Sequence, residues 1–296
     1  MFHLKALLLN LILLLIGNGC CIQQTTDLPV VYTSIYPLYD FTCKIGGEQI
    51  KVHNLTPPGV EPHSFEPSPQ QIVNLGQADL FLYNGANMEP YLDKLKANLT
   101  NQPVHFAQVT TNIQVLNINQ ETDPHFWLSP QAALIIGENI LQELSTLDPS
   151  QQTIYEKNFA NFKSQIESLD LAYQETLATA KKQKIIVTHP AFNYLCQNYQ
   201  LTSIPILGLN PEAEPTAQKL KEICQILKEE KIKYLFTANF YSPQVADTLA
   251  YETGAQVLPL HPLGTLTQTE LNNGEDYFTI MRTNLDNLAI ALECEL

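Results

Sequence analysis

Basic residues are scarce in this chain of 296 residues. Lysine and arginine number 16 against 30 aspartates and glutamates, which gives a formal net charge of −14. The few basic residues form no stripe or run along the chain. A surface of this sign repels a phosphate backbone. We therefore expect no nucleic acid among the partners.

Cysteine is also sparse, with six in all, and no pair has the CxxC spacing of a thiolate zinc site or a redox pair. The cysteines beyond the N-terminus are Cys43, Cys196, Cys224 and Cys294. In an oxidising compartment Cys294 could form a disulfide with Cys224 or Cys196. Buried, reduced thiols are an equal alternative on spacing alone.

Long apolar runs are missing after the N-terminus. The run at residues 6–16 follows Lys5 and precedes small residues, which is typical of an export signal. It is shorter than the roughly 20 apolar residues that a membrane span needs. The cysteine behind it resembles the lipidated first residue of a mature bacterial lipoprotein. We therefore predict a lipoprotein-type signal peptide over residues 1–20 and a lipid anchor at Cys20.

The signal departs from the lipoprotein pattern at one position, because Gly17 stands three places before Cys20, where an aliphatic residue is expected. Two alternatives stay open, namely lipidation at Cys21 and simple secretion after cleavage near Gly19. In each case the chain is predicted to be exported, to the periplasm or to the outer face of the cytoplasmic membrane.

Hydrophobic residues make up 45% of the chain, enough for sizeable cores. After residue 27, short apolar segments alternate with segments of helical periodicity, which predicts parallel sheets covered by helices. Residues 113–117 are predicted to be one of the strands. The proline-rich segment after a predicted helix at 192–198 is predicted to be a loop.

A long segment without glycine or proline separates two such regions. Its apolar residues recur at helical spacing up to residue 181, so we predict one helix of roughly 45 Å at ~1.5 Å per residue. The predicted fold is α/β, with two parallel-sheet lobes at residues 27–148 and 182–296 joined by a linker helix at 149–181.

Four histidines share an unusual setting. Each follows a predicted strand, directly or through a loop, and each is next to a proline that restricts the backbone. The crevice beyond the carboxyl ends of parallel strands is where open α/β sheets bind ligands. The four are His63, His125, His189 and His261. The histidines at positions 53 and 105 lie inside predicted strands and are predicted to be structural.

Four neutral imidazoles favour Zn²⁺, whereas Mn²⁺, Mg²⁺ and Ca²⁺ prefer oxygen ligands. More than sixty residues separate successive histidines of this set, unlike the short local spacing of zinc fingers or of HExxH metalloproteases. The sequence therefore predicts a zinc site that only the tertiary fold assembles.

Several motifs resemble those of the solute-binding proteins of zinc and manganese ABC importers, a family that includes periplasmic zinc-binding proteins and metal-binding adhesin lipoproteins. The resemblance covers nearly all of the chain after the signal. The matching motifs are PPGVEPH at 57–63, EPSP at 66–69, GQADL at 76–80, DPHFWLSP at 123–130, THPAF at 188–192 and LHPLG at 260–264.

The resemblance implies a zinc-binding protein that is not an enzyme, is monomeric, and works with an ABC permease and its ATPase, with Zn²⁺ as the transported ligand. It also implies limited hinge motion between the lobes. His63, His125 and His189 match ligand positions, and a histidine at the third of them is typical of zinc-type members. A manganese-binding relative and an adhesin with the same site are the alternatives.

The fourth motif position departs from the family, because His261 stands where aspartate is usual. Either His261 is a fourth imidazole ligand, or it is a bystander and water or Glu61 completes the coordination shell. An enzyme is a further alternative. In a zinc hydrolase three histidines would hold the metal, and Glu61, Glu66 or Asp123 would serve as general base beside an open coordination position.

Overall fold

The computed structural model describes residues 28–118, 121–208, 215–238 and 244–295. The predicted signal peptide and Cys20 lie outside the described residues. No helix within those ranges is long and apolar enough to cross a membrane.

The first lobe is a four-stranded parallel sheet with helices packed against it, followed by a small antiparallel ribbon. Its elements are β1 (Val30–Thr33), α1 (Tyr36–Gly46), β2 (Lys51–Asn54), α2 (Pro69–Leu75), β3 (Leu80–Tyr83), α3 (Leu92–Asn98), β4 (His105–Gln108), β5 (Asn117–Ile118), β6 (Glu121–Thr122) and α4 (Pro130–Leu147). The strand order is β2-β1-β3-β4.

The second lobe repeats this architecture with strand order β10-β9-β7-β8. A helix of 26 residues, α5 (Gln152–Leu177), leads into it. The other elements are β7 (Lys184–Val187), α6 (Asn193–Asn198), β8 (Thr202–Pro205), α7 (Ala217–Glu229), β9 (Tyr234–Thr237), α8 (Gln244–Thr253), β10 (Gln256–Pro259), α9 (Gln268–Asn272) and α10 (Tyr277–Ala291). In both sheets the strand order reverses beside the first strand of the lobe, which creates a crevice at the carboxyl ends of the strands.

Local sequence explains where the long helices begin. Ser129 accepts a hydrogen bond from the backbone N–H of Ala132 at 3.2 Å, and Pro130 occupies the first turn of α4, as the sequence predicts. The chain then turns through a short 3₁₀ helix, Pro149–Gln151, before α5 starts. The linker helix is therefore shorter than the predicted 149–181 and spans about 39 Å at ~1.5 Å per residue.

One buried face of α5 contacts both lobes. Its buried side chains are Tyr155, Phe162, Ile166, Leu169, Tyr173 and Leu177. The helix packs against α1 and α4 of the first lobe and against α10 of the second. One continuous buried apolar cluster runs from Val31 in β1 through Trp127 to Leu288 in α10. The lobes therefore share a core.

Two local predictions are wrong. Residues 113–116 are not a strand, and the chain instead forms the two-residue ribbon strands β5 and β6. Part of the segment predicted as a proline-rich loop is strand β8, which pairs in parallel with β7 at the edge of the second sheet. Pro205 ends that strand, and proline is tolerated there because an edge strand needs fewer ladder hydrogen bonds.

The four described cysteines are free thiols.

Candidate metal centre

Three of the four predicted histidines meet between the lobes. Nε2 of His125 lies 3.1 Å from Nε2 of His63 and 3.0 Å from Nε2 of His189. One ligand atom from each ring lies within 4.8 Å of those of the other two. A tetrahedral zinc ion with bonds of roughly 2.0–2.1 Å holds two nitrogens about 3.3–3.4 Å apart. The spacing of these nitrogens is therefore close to what zinc requires.

His189 is held by the second sheet. It follows β7 after one residue, and the backbone N–H of that residue, Thr188, donates to the carbonyl of Phe236 in β9 at 2.9 Å. The backbone N–H of Ala191 donates to the carbonyl of His189 at 2.9 Å, which closes a tight turn. The ring therefore projects from the carboxyl end of a central strand, where ligands of such sheets bind.

His125 is oriented by a buried carboxylate. Its Nδ1 lies 2.7 Å from Oδ1 of Asp123, and its backbone N–H donates to the same oxygen at 3.0 Å. The other carboxylate oxygen accepts a bond from Asn193 at 3.0 Å. A carboxylate on Nδ1 keeps the proton there and leaves the lone pair of Nε2 for a metal. The spacing of two residues in the DPH motif is the sequence signal for this pair. From sequence, Asp123 was considered only as one candidate general base of a zinc hydrolase.

His63 comes from the loop that follows β2. Its backbone N–H donates to Oε1 of Glu61 at 3.2 Å. The same loop is attached to the second lobe, because the backbone N–H of Gly59 donates to the carbonyl of Leu266 at 2.8 Å. Gly59 has φ 76°, in the left-handed region that favours glycine.

Burial keeps the rings of His63 and His189 neutral. Loss of hydration lowers the pKa of His63 to about 3, with a further decrease from His125. The pKa of His189 is also lowered, first by burial and then by His125 and His63. The neutral imidazole is the form that binds metal, so these two ligands stay in their binding form at neutral pH.

The space between the rings is small. Glu61, Met88 and Trp127 line it together with the three histidines, and the cavity measures about 10 Å³. This is close to the least volume that accommodates one water molecule. Trp127 also joins the lobes, because its Nε1–H donates to the carbonyl of Pro262 at 2.8 Å. The cavity is therefore suited to a single ion rather than to an organic substrate.

His261 is not in this group. Its Nδ1 accepts a hydrogen bond from the backbone N–H of Leu263 at 2.9 Å, and its Nε2 lies 3.5 Å from Oε1 of Glu270. Asn284 holds the backbone on either side of the ring, donating to the carbonyl of His261 and accepting from its N–H, both at 2.8 Å. In this structure the predicted fourth imidazole supports its own loop, and its role as a ligand stays a prediction.

The other two histidines of the first lobe, His53 and His105, lie away from the metal centre. The side chain of His105 is 66% exposed and lies 3.6 Å from Glu143. His53 is exposed, and its ring centroid is 4.9 Å from that of Tyr32. Neither belongs to the group of metal-binding side chains found among the described residues.

Comparison with known proteins identifies the family. A family model described as "Zinc-uptake complex component A periplasmic" matches residues 31–291. The high-affinity zinc uptake system protein ZnuA of Bacillus subtilis is 35% identical over 277 residues, which cover 88% of this chain and 87% of that protein. The zinc-binding lipoprotein AdcA of Streptococcus pneumoniae is 35% identical over 286 residues, which cover 91% of this chain.

The chain spans only 57% of the length of AdcA. Its fold agrees with the Zn(II)-bound ZnuA-like domain of that protein, with a TM-score of 0.82 at 36% identity, over 90% of this chain and 99% of the domain. The laminin-binding protein Lmb of Streptococcus agalactiae gives a TM-score of 0.84 at 30% identity, over 90% of this chain and all of that one. This chain belongs to the family of periplasmic A components of zinc-uptake complexes.

Proposed function

We propose that this chain is the extracytoplasmic zinc-binding subunit of an ABC-type importer, which captures Zn²⁺ between its two lobes and delivers it to the membrane permease. The observation that carries the proposal is the convergence of three imidazoles from both lobes on one ion-sized cavity, with His125 and His189 buried and His63 partly buried. A nitrogen donor set of this kind favours Zn²⁺ over Mn²⁺, Mg²⁺ and Ca²⁺.

The ligands in this proposal are His63, His125 and His189, with Glu61 in the fourth position. The Glu61 side chain lines the same cavity, and carboxylate oxygen is an ordinary zinc ligand. His261 was the sequence-based choice for that position. Its ring instead accepts from Leu263 and faces Glu270, so the alternative that places Glu61 or water there is favoured.

The partners in this proposal are an ABC permease and its ATPase, and the mature chain is a monomer anchored to the membrane by lipid at Cys20. The name of AdcA, a zinc-binding lipoprotein, supports the lipid anchor, and that of ZnuA, a zinc uptake system protein, supports the transport partners. A zinc hydrolase would need an open coordination position beside a substrate-sized pocket. The cavity of about 10 Å³ favours a binding protein instead.

Metal analysis of the purified mature protein tests the proposal. We expect one zinc per chain after equilibration with mixed divalent metals, and a competitive titration that ranks Zn²⁺ far above Mn²⁺. Mass spectrometry of the mature N-terminus tests the lipid at Cys20. A protein that binds no zinc, or that prefers Mn²⁺, would contradict the proposed function.

A further inference from the structure

A short loop beside the metal cavity has an unusual backbone. Gly85, Ala86 and Asn87 all have positive φ, at 77°, 53° and 60°. Left-handed backbone costs of order 1–3 kcal/mol at a residue other than glycine and persists only where the surroundings enforce it. The next residue is Met88, which is 1% exposed and lines the cavity with the three histidines. The loop therefore places Met88 at the site at an energetic cost.

A buried carboxylate enforces this backbone. Glu89 is 5% exposed, and its Oε1 accepts from Ser34 Oγ at 2.5 Å and from the N–H of Asn84 at 2.8 Å. Its Oε2 accepts from the N–H of Gly85 at 2.9 Å. Burial of a carboxylate is costly unless hydrogen bonds compensate for lost hydration. Here three donors offset part of that cost, and burial still raises the pKa of Glu89. The loop is fixed at the residue that follows Met88.

The same loop is joined to the segment that carries a ligand. The side-chain amide of Asn84 donates to the carbonyl of Pro124 at 3.0 Å, one residue before His125. The backbone N–H of Met88 donates to the carbonyl of Gly85 at 3.1 Å. The position of Met88 is therefore tied to the position of the His125 ring.

We propose that Met88 is a specificity-determining residue, whose side chain fills the space beside the bound ion and so limits its coordination number to four. The inference rests on the proposed metal site. Zinc is satisfied by four ligands, whereas Mg²⁺ is six-coordinate and Mn²⁺ also occupies octahedral oxygen sites, so both require added water molecules. A thioether is only a weak acceptor and, fixed in a cavity of about 10 Å³, excludes that water.

Shortening this side chain tests the proposal. In the Met88→Ala protein, water gains access to the ion, so we expect the ratio of Zn²⁺ to Mn²⁺ affinity to fall by about tenfold, equivalent to about 1.4 kcal/mol. With Co²⁺ as the probe, we expect the strong visible absorption of a four-coordinate ion to weaken as coordination increases. Parent and variant are titrated with Zn²⁺, Mn²⁺ and Co²⁺ in the same buffer.

Two matched variants distinguish the volume of the Met88 side chain from its sulfur atom and from a general loss of stability. Met88→Leu keeps the volume without sulfur and should keep both the affinity ratio and the Co²⁺ spectrum of the parent. Met281→Ala removes an equally buried methionine in α10 and should lower stability without changing either readout. If Met88→Ala does not fold, Met88→Val, with less volume than methionine, takes its place with the same expected direction.

The outcomes are distinct. An unchanged affinity ratio and Co²⁺ spectrum in Met88→Ala would overturn the role of Met88 while leaving the proposed zinc site intact. A Met88→Leu protein that behaves like Met88→Ala would show that sulfur, and not volume, is what matters, and would also overturn it. A parent protein that binds no zinc would refute the proposed function itself.

Discussion

Burial lowers the pKa of two imidazoles of the site, His63 and His189, and this links the stability of the empty protein to pH. In the unfolded chain a histidine binds a proton near pH 6.5, whereas folded His63 does so only at about pH 3. Between these values the unfolded state binds more protons, so stability is lost as pH falls. His189 shifts in the same direction.

We therefore predict that the free energy of unfolding of the zinc-free protein decreases from pH 7 to pH 5. Each such histidine contributes a slope of up to about 1.4 kcal/mol per pH unit within its window. Denaturant titrations at a series of pH values measure this slope. A His63→Asn variant serves as the control and should show a shallower dependence. Equal slopes in parent and variant would contradict the prediction.

Three substitutions test which histidines bind the metal and which are structural. His189→Ala should reduce zinc affinity by more than about 100-fold, because changes to outer-shell partners alone already cost 10–100-fold. His53→Ala and His105→Ala should leave the affinity near that of the parent, since neither ring belongs to the group. Competition with a chelator of known affinity measures all three. Similar losses of zinc affinity in all three variants would mean that metal-binding and structural histidines have been wrongly assigned.

The fourth ligand position can be tested by a pair of variants. Glu61→Gln replaces a carboxylate that lines the cavity with an amide and should weaken zinc binding. His261→Asn keeps an acceptor within reach of the N–H of Leu263 and removes the ring near Glu270, so it should leave affinity close to parental. Isothermal titration of both gives the comparison. The reverse pattern would make His261 the ligand.

At the level of elements, the contact between α4 and α5 depends on a glycine. A Cβ added at Gly137 would lie 2.5 Å from Cε1 of Phe162, below any normal contact distance. Since close-packed interiors tolerate added atoms poorly, we predict that Gly137→Ala lowers stability by about 1–3 kcal/mol.

The matched control for this helix contact is a double variant. Adding Phe162→Leu to Gly137→Ala makes room for the methyl group, so the two changes together should cost less than the sum of each alone. Thermal and denaturant unfolding of the parent, the two single variants and the double variant complete this double-mutant cycle. Strict additivity would show that the two side chains do not compete for space.

Most elements of the fold could be predicted from sequence, because their signals are local. The buried strand at Leu80–Tyr83 and the capped start of α4 at Ser129 need only periodicity and one side chain. Strand β8 was missed because Thr202 and Ser203 give no alternation of apolar and polar residues, and pairing with β7 decides its conformation.

Residues of the site could be predicted only where a metal-binding side chain also follows a predicted strand. His63, His125 and His189 stand out by their placement after strands and beside prolines. Met88 and Glu89 gave no such signal, because their roles depend on positive φ angles in a loop and on burial among distant residues. The contacts of the His261 ring with Leu263 and Glu270 gave no signal for the same reason, since tertiary structure forms them, and its role as a ligand stays a prediction.

In the molecule as a whole, polar contacts reinforce the shared core of the lobes. Lys44 in α1 lies 2.7 Å from Asp40 on its own helix and 2.9 Å from Asp276, the N-cap of α10. The hydroxyl of Tyr277 donates to the carbonyl of Trp127 at 2.7 Å. Ion pairs of this kind contribute modestly, so the continuous apolar cluster is the main reason to expect limited hinge motion.

The last prediction follows from that shared core. Trp127 is the only tryptophan, is fully buried, and bonds across the lobe junction to Pro262, so its fluorescence reports on the junction. We expect the zinc-free protein to unfold in one transition, with fluorescence and far-ultraviolet circular dichroism coinciding. Zinc at 100 times its dissociation constant should add about 2.7 kcal/mol, because it binds only the folded state. His189→Ala should lose this increment. A fluorescence change that precedes the loss of helix would show that the lobes separate before they unfold, and the shared core would then not couple them.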